Sequence, residues 1–252
     1  LQLGFLKMLR GTGLRNDAEK YNYVFMDHAP YEILSNNVLP FEDVIRLKRL
    51  EDVLEKYWNA HRMDHTVEYL VTHEFDSPFD FFQEFGDYWE EQGWQRIGHQ
   101  LEDLFTRLHA FLSGRTLKEP EVVLGLMKLD YLLGHKYKPR KIWWEDRVDK
   151  DRRSAYFRML AEQPAALSEQ FAAYGLDERE LQKYACLEEL PFALGDVLPA
   201  EGAESPAASA SAGDASQGTL LVVVYQQEAD ERPVCFYANL SAWSPEHRTL
   251  LK

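Results

Sequence analysis

The chain has 252 residues, 45% hydrophobic and 28% charged, so it is in the globular range and long enough for one large or two small domains. A formal charge of −14 argues against generic binding to nucleic acid or to anionic membranes. Cys186 and Cys235 lie far apart and offer neither metal spacing nor a disulfide framework, and no apolar run approaches the roughly 18 residues of a membrane span, so a cytoplasmic protein with no membrane partner is expected.

Leu1, Leu3, Phe5 and Leu6 form a short apolar run closed by Gly11-Thr12-Gly13. This pattern suits a strand buried on both faces of a parallel sheet. Such a strand needs neighbours, so the run reads as the end of something larger. Arg15 to Tyr21 predicts a short helix. Tyr23 to Leu34 reads as an irregular, lid-like connector in which Pro30 drives Ala29 to an extended conformation.

Pro40 opens a helix with Glu42 and Asp43 in its first turn, and Val44, Leu47, Leu50, Leu54, Tyr57 and Trp58 form one apolar stripe ending near Asn59. A shorter helix follows, Asp64 to Thr72. Ser77-Pro78-Phe79-Asp80 is a helix start: an N-cap, a proline at the first position, an acid three residues on. The aromatic face from Phe79 to Trp89 follows it, and Gly93 stops it. Further helices are expected over Trp94 to Ser113, Pro120 to Leu133, Lys150 to Glu162 and Pro164 to Tyr174, and Asp177 with Glu180 forms a capping box. Tyr184 to Leu190, Thr219 to Tyr225 and Val234 to Ala238 read as strands, the last two as a hairpin that pairs with the first. Pro199 to Gly218 is Ala, Ser, Glu, Gly and Pro without apolar period, a composition that predicts disorder.

Gly4-Phe5-Leu6-Lys7 running into Gly11-Thr12, then Pro30-Tyr31-Glu32-Ile33-Leu34, then Leu47-Lys48-Arg49-Leu50-Glu51 ending in Tyr57-Trp58-Asn59, then Leu129-Asp130-Tyr131-Leu132, together resemble a known arrangement. It is the C-terminal domain of unknown function of bacterial cobalamin-binding radical SAM proteins. The resemblance covers most of residues 1 to 198. It implies that residues 1–15 are the last strand of a radical SAM barrel and that Gly4, Phe5, Leu6 and Lys7 help wall an S-adenosylmethionine pocket. The family's Gly-Thr-Pro is here Gly11-Thr12-Gly13. The Cys-x-x-x-Cys-x-x-Cys loop of such enzymes and their cobalamin domain have no counterpart in the chain. S-adenosylmethionine, an iron–sulfur cluster and cobalamin are therefore implied for a longer polypeptide, with an upstream barrel and cobalamin domain as partners and no cofactor bound by these residues alone.

Three polar groupings bear on chemistry. Asp27 and His28 with Tyr31 and Glu32 place acid and base groups in an irregular segment, where a loop can serve a neighbouring active site; a packed connector whose Tyr and Glu hydrogen-bond the backbone is the plainer reading. His61 and His65, with His73 near, have zinc-like spacing beside Asp64 and Glu68, yet His61 falls where one helix ends, and surface histidines are the plainer reading, so no metal site is assigned. Lys136, Lys138, Arg140 and Lys141 with Tyr137, Trp143 and Trp144 mix cations and aromatics as nucleic-acid surfaces do, but the acidic remainder favours a solvated loop over two buried tryptophans. Gly11-Thr12-Gly13 lacks the Lys-Ser/Thr of a phosphate-binding loop.

The expectation is a mainly α chain: a remnant barrel strand (1–15), a helical domain (16–198), a disordered segment (199–218) and a small antiparallel β-hairpin (219–252) packing on the helices. Its function would be an accessory domain covering the opening of a cobalamin-dependent radical SAM barrel, with no catalysis of its own. The alternative is a stand-alone helical binding or scaffold module.

Overall fold

A computed structural model describes residues 1–198, 218–225 and 232–243. The disorder expected over Pro199 to Gly218 falls outside these residues except at Gly218, and so do residues 226–231 of the expected hairpin connection. The chain is mainly helical with a small antiparallel sheet towards its C-terminus, and it forms two units, Leu1–His99 and Gln100–Lys252.

In the first unit, one helical turn, α1 (Gly13–Asn16), precedes an antiparallel hairpin of β1 (Val24–Phe25) and β2 (Ile33–Ser35). The segment read as an irregular connector is thus a short ribbon; its loop contains a cis Ala29–Pro30 bond. Then follow α2 (Phe41–Leu54), α3 (Asp64–Tyr69) and α4 (Pro78–Glu91), with wider π-type turns over Glu55–Asn59 and Leu70–Glu74.

The start of α4 is dictated locally. The Ser77 hydroxyl accepts from the Asp80 amide at 3.1 Å, and Pro78, which has no N–H to satisfy, takes the first position. Phe81, Phe82, Phe85 and Trp89 recur at helical spacing and are buried. Tyr57 meets Phe85 edge-on at 4.8 Å and Trp89 at 5.9 Å, in the T-shaped geometry that aromatic quadrupoles favour. The α2–α4 contact is close because Gly86 has no side chain: a Cβ there would lie 2.8 Å from the Arg49 carbonyl group.

Among the described residues, Leu1 to Leu6 has no strand neighbours within this chain: Leu1 is 78% exposed, Leu6 is 39% exposed, and at its end stands an isolated antiparallel bridge, Lys7 to Glu32. With one partner on one side, most of its backbone groups have no ladder to join. The helix expected over Trp94 to Ser113 breaks. Trp94–Arg96 is a 3₁₀ turn after Gly93, whose φ is +71°, and the α-helix starts only at Leu101. Gln100 and Asp103 cap it reciprocally, a start signal that the apolar periodicity overrode.

The second unit contains α5 (Leu101–Ser113), α6 (Pro120–Leu133), α7 (Lys150–Glu162), α8 (Glu169–Ala172), α9 (Glu178–Tyr184), β3 (Ala185–Leu190), α10 (Leu194–Val197), β4 (Thr219–Val224), β5 (Val234–Asn239) and α11 (Leu240–Trp243). The helix expected over Pro164 to Tyr174 is a 3₁₀ turn, Pro164–Ala166, and α8, closed by Gly175 at φ +59°. The three strands form an antiparallel sheet in the order β3-β4-β5. Every residue of β4 is buried, as expected for a central strand covered on both faces. Ala185, Leu187, Leu220, Val222 and Val224 face a core built from Tyr156, Leu160, Phe171, Leu181 and Phe236. Strand alternation sends Cys186 and Glu188 to the opposite face.

Candidate functional site

The first unit brings together most of the residues singled out in the sequence. The Ile33 amide donates to the Leu6 carbonyl at 2.8 Å, and the Met8 amide donates to the Tyr31 carbonyl at 2.7 Å. The Gly4–Lys7 segment therefore lies along Tyr31 and Glu32. Lys48, from α2, forms an ion pair with Glu32 and sits 4.3 Å over the Phe5 ring. Arg10 and Arg15 lie 5.7 and 5.4 Å over the Tyr31 ring, at cation–π distance. Tyr31 itself has φ +59°, a strained conformation for a bulky side chain. Asp27 and His28 stand apart: their side chains are exposed and pair with each other at 2.6 Å. The hydrogen bond from His28 holds the Asp27 carboxyl below its ordinary value. Glu32 is thus committed to a cation, while Asp27–His28 is an open acid–base pair in the same loop.

Beside this cluster, Leu3, Leu47, Trp58, Val71, Phe79 and Phe82 line an apolar groove of about 440 Å³. His61 does not share a helix face with His65, because it lies in a turn at φ +50°, where its ring contacts the Asp64 carboxylate at 3.2 Å. His73 stacks on Tyr69 at 4.4 Å.

The second unit holds a polar site that the sequence reading missed. β3 is an edge strand, and its two consecutive glutamates point to opposite faces. On one face Glu188 meets Lys128 of α6 at 3.4 Å; both side chains are nearly inaccessible. Asp146 supplies Lys128 with a carbonyl at 3.3 Å and a carboxylate at 3.8 Å. On the other face Glu189 accepts from Arg152 at 2.6 Å and from the Tyr156 hydroxyl at 2.7 Å, both on α7. Lys128, Asp146, Arg152, Glu188 and Glu189 border one cleft of about 460 Å³ at the sheet edge.

Burial decides the electrostatics here. It pushes the Glu188 carboxyl up to about 7 despite the adjacent Lys128 ammonium, so desolvation outweighs the attraction. Burial also raises Tyr156 to about 12. A cleft of this volume with a carboxyl poised near neutrality has the features of a ligand or proton-transfer site. The legible signal was a lone lysine inside the apolar run of α6 and two glutamates inside an otherwise apolar strand.

Further along the same edge, the basic loop of Lys136 to Lys141 packs its aromatic neighbours inward. Trp144 is buried and meets Tyr131 edge-on at 5.5 Å, while Trp143 stacks on Phe105 at 6.4 Å. The two tryptophans are therefore not a platform for bases, and of the three aromatics only Tyr137 is exposed. Cys186 and Cys235 are free and flank Val223 across the sheet. Burial pushes their thiols up to about 11 and 12, so neither is a reactive thiolate at neutral pH.

Among the described residues no helix is long and apolar enough to cross a membrane. No curated protein and no solved structure gives a significant match to the chain. The family model described as protein of unknown function, DUF4080, matches residues 19–207, well over half the chain, and the chain belongs to that family.

Proposed function

We propose that this chain is an accessory domain of a cobalamin-dependent radical SAM enzyme, covering the opening of the barrel and shaping access of substrate. The observation that carries the reading is the pairing of Leu6–Met8 with Tyr31–Ile33, which sets the barrel-like Gly4–Lys7 segment against the Asp27–Glu32 loop. In this reading the strand side of the segment continues a barrel and the loop side faces its opening. The exposed Leu6, Leu9 and Phe79 and the apolar groove nearby give the first unit a surface suited to packing on another domain.

The chain's own residues do not fit an iron–sulfur cluster. Such clusters are held by sets of thiolates, and here two thiols with raised pKa values are all that the sequence offers. Cluster, S-adenosylmethionine and corrin then belong to an upstream part of the same polypeptide, and this chain contributes walls and polar groups rather than redox chemistry.

Hydrogen exchange tests the proposal. Among the described residues, the amides of Gln2 to Lys7 donate no backbone hydrogen bond. In the isolated chain they should exchange at rates near those of unstructured peptides. In the longer natural polypeptide they should be protected by neighbouring strands. Equal, fast exchange in both would overturn the reading.

The cleft at the β3 edge favours a second reading, a binding module whose ligand is held by Lys128, Arg152 and the two glutamates. Retention of a small molecule by the isolated chain, lost in Lys128→Met, would favour it over the first.

A further inference from the structure

The basic loop is not absorbed by either reading, and the structure gives it a destination. Lys138 and Arg140 from the loop, Arg147 from the segment before α7, and Arg153 from α7 all line one small cavity against Ala185 to Glu188 of the β3 edge. Its volume is about 180 Å³, below the roughly 300 Å³ at which sites for drug-sized ligands begin. In a chain of net charge −14, four cations converge on this space, and Glu188 is the one carboxylate in its wall.

We propose that this cavity is an anion site that takes the phosphate group of a soluble small molecule. Three observations support it. First, among the described residues Arg140, Arg147 and Arg153 have no carboxylate within ion-pair distance, although acids outnumber bases in the chain. Arg153 acts on the Asp149 carboxylate only at longer range, and guanidinium groups outside a direct ion pair are suited to phosphate oxygens, which they can grip two at a time. Second, Lys138 lines the cavity and is half-buried, and its ammonium donates to the Gln182 carbonyl at 2.7 Å. Burial lowers its pKa, with Cys186 opposing and Arg153 adding to the effect, a direction that an anion in the cavity would reverse. Third, Glu188 does not neutralise the cluster, because it is paired with Lys128 at 3.4 Å. Arg147, Val148 and Glu188 also border the larger cleft of about 460 Å³. The phosphate would lie in the small cavity and the rest of the molecule would extend towards that cleft. The inference does not depend on the radical SAM reading.

Calorimetric titration of the whole chain with inorganic phosphate and with pyrophosphate tests it. One anion should bind per chain, more weakly as sodium chloride is raised. Arg147→Ala and Arg153→Ala should each weaken binding by about tenfold, the worth of one charged hydrogen bond. Arg153→Lys should restore part of the loss. Arg158→Ala, which removes an exposed cation of α7 outside the cavity, should leave binding unchanged. Circular dichroism identifies any variant that fails to fold, and Arg140→Gln, on the exposed loop, then serves in its place. The proposal is overturned if neither anion binds at millimolar concentration, or if the cavity variants bind as well as the parent. Equal weakening by Arg158→Ala, or binding to phosphatidic acid vesicles with no response to soluble phosphate, would overturn it too.

Discussion

Glu188 is the residue on which the electrostatics of the β3 edge depend. Its carboxyl is raised to about 7 by burial, against an ordinary value of 4.5. Between those values the folded chain holds a proton there that the unfolded chain has released. The contribution of this group to stability is therefore fully present below about pH 4.5 and is lost as pH rises through about 7. Glu188→Gln removes the titration. Urea midpoints at pH 5, 6, 7 and 8 should show the stability of the variant, relative to the parent, improving as pH rises. A difference that does not change with pH would contradict the raised carboxyl. The identity of this residue was plain in the sequence but its situation was not. A glutamate pair in Ala185-Cys-Leu-Glu-Glu-Leu190 marks an odd strand, yet which glutamate is buried depends on the pairing of Glu188 with Leu221 and on the approach of α6. By contrast Asp27, His28, Tyr31 and Glu32 could be named as a group because they are neighbours in sequence; that Lys48 and two arginines would engage Tyr31 and Glu32 required the tertiary fold.

At the scale of elements, α2 packs directly on α4 in the first unit, and Gly86 sets how near they come. A Cβ at this position meets backbone atoms of Arg49 and Leu50 at 2.8–2.9 Å, and backbone cannot swing aside as a side chain can. Gly86→Ala gains up to about 1 kcal/mol in helix propensity. Overpacking costs about 1–3 kcal/mol, and here the atoms that must yield are main chain. The expected outcome is a net loss of roughly 1–2 kcal/mol, read as a lower melting temperature; an unchanged or higher one would contradict the packing account. Elements with strong local signals were legible. Ser77-Pro78, the Asp177–Glu180 box and the continuous β-branched run of β4 appear where their chemistry puts them. Elements that depend on neighbours were not. Leu1 to Leu6 has strand composition without strand partners, and Trp94 to Ser113 has helical period across a break that Gln100 and Asp103 define.

At the scale of the molecule, the predominance of helix with a terminal antiparallel sheet follows from the sequence pattern, and the sheet includes the third strand that a lone hairpin needs for stability. The division at His99 and Gln100 was not legible, because no composition shift or proline-rich linker marks it; the break is one glycine and a capping box. Each unit carries its own polar centre, the Tyr31–Glu32 cluster in the first and the β3 edge in the second. In the proposed function, the first of these faces a radical SAM barrel. The most direct test of that proposal is to purify, without oxygen and with iron and sulfide supplied, the natural polypeptide that contains this chain, and to assay S-adenosylmethionine cleavage beside the 252 residues alone. The longer polypeptide should be brown, bind cobalamin and release 5′-deoxyadenosine, while the isolated chain should be colourless and inert. A longer polypeptide with neither cluster nor corrin, or cleavage by the isolated chain, would contradict the account.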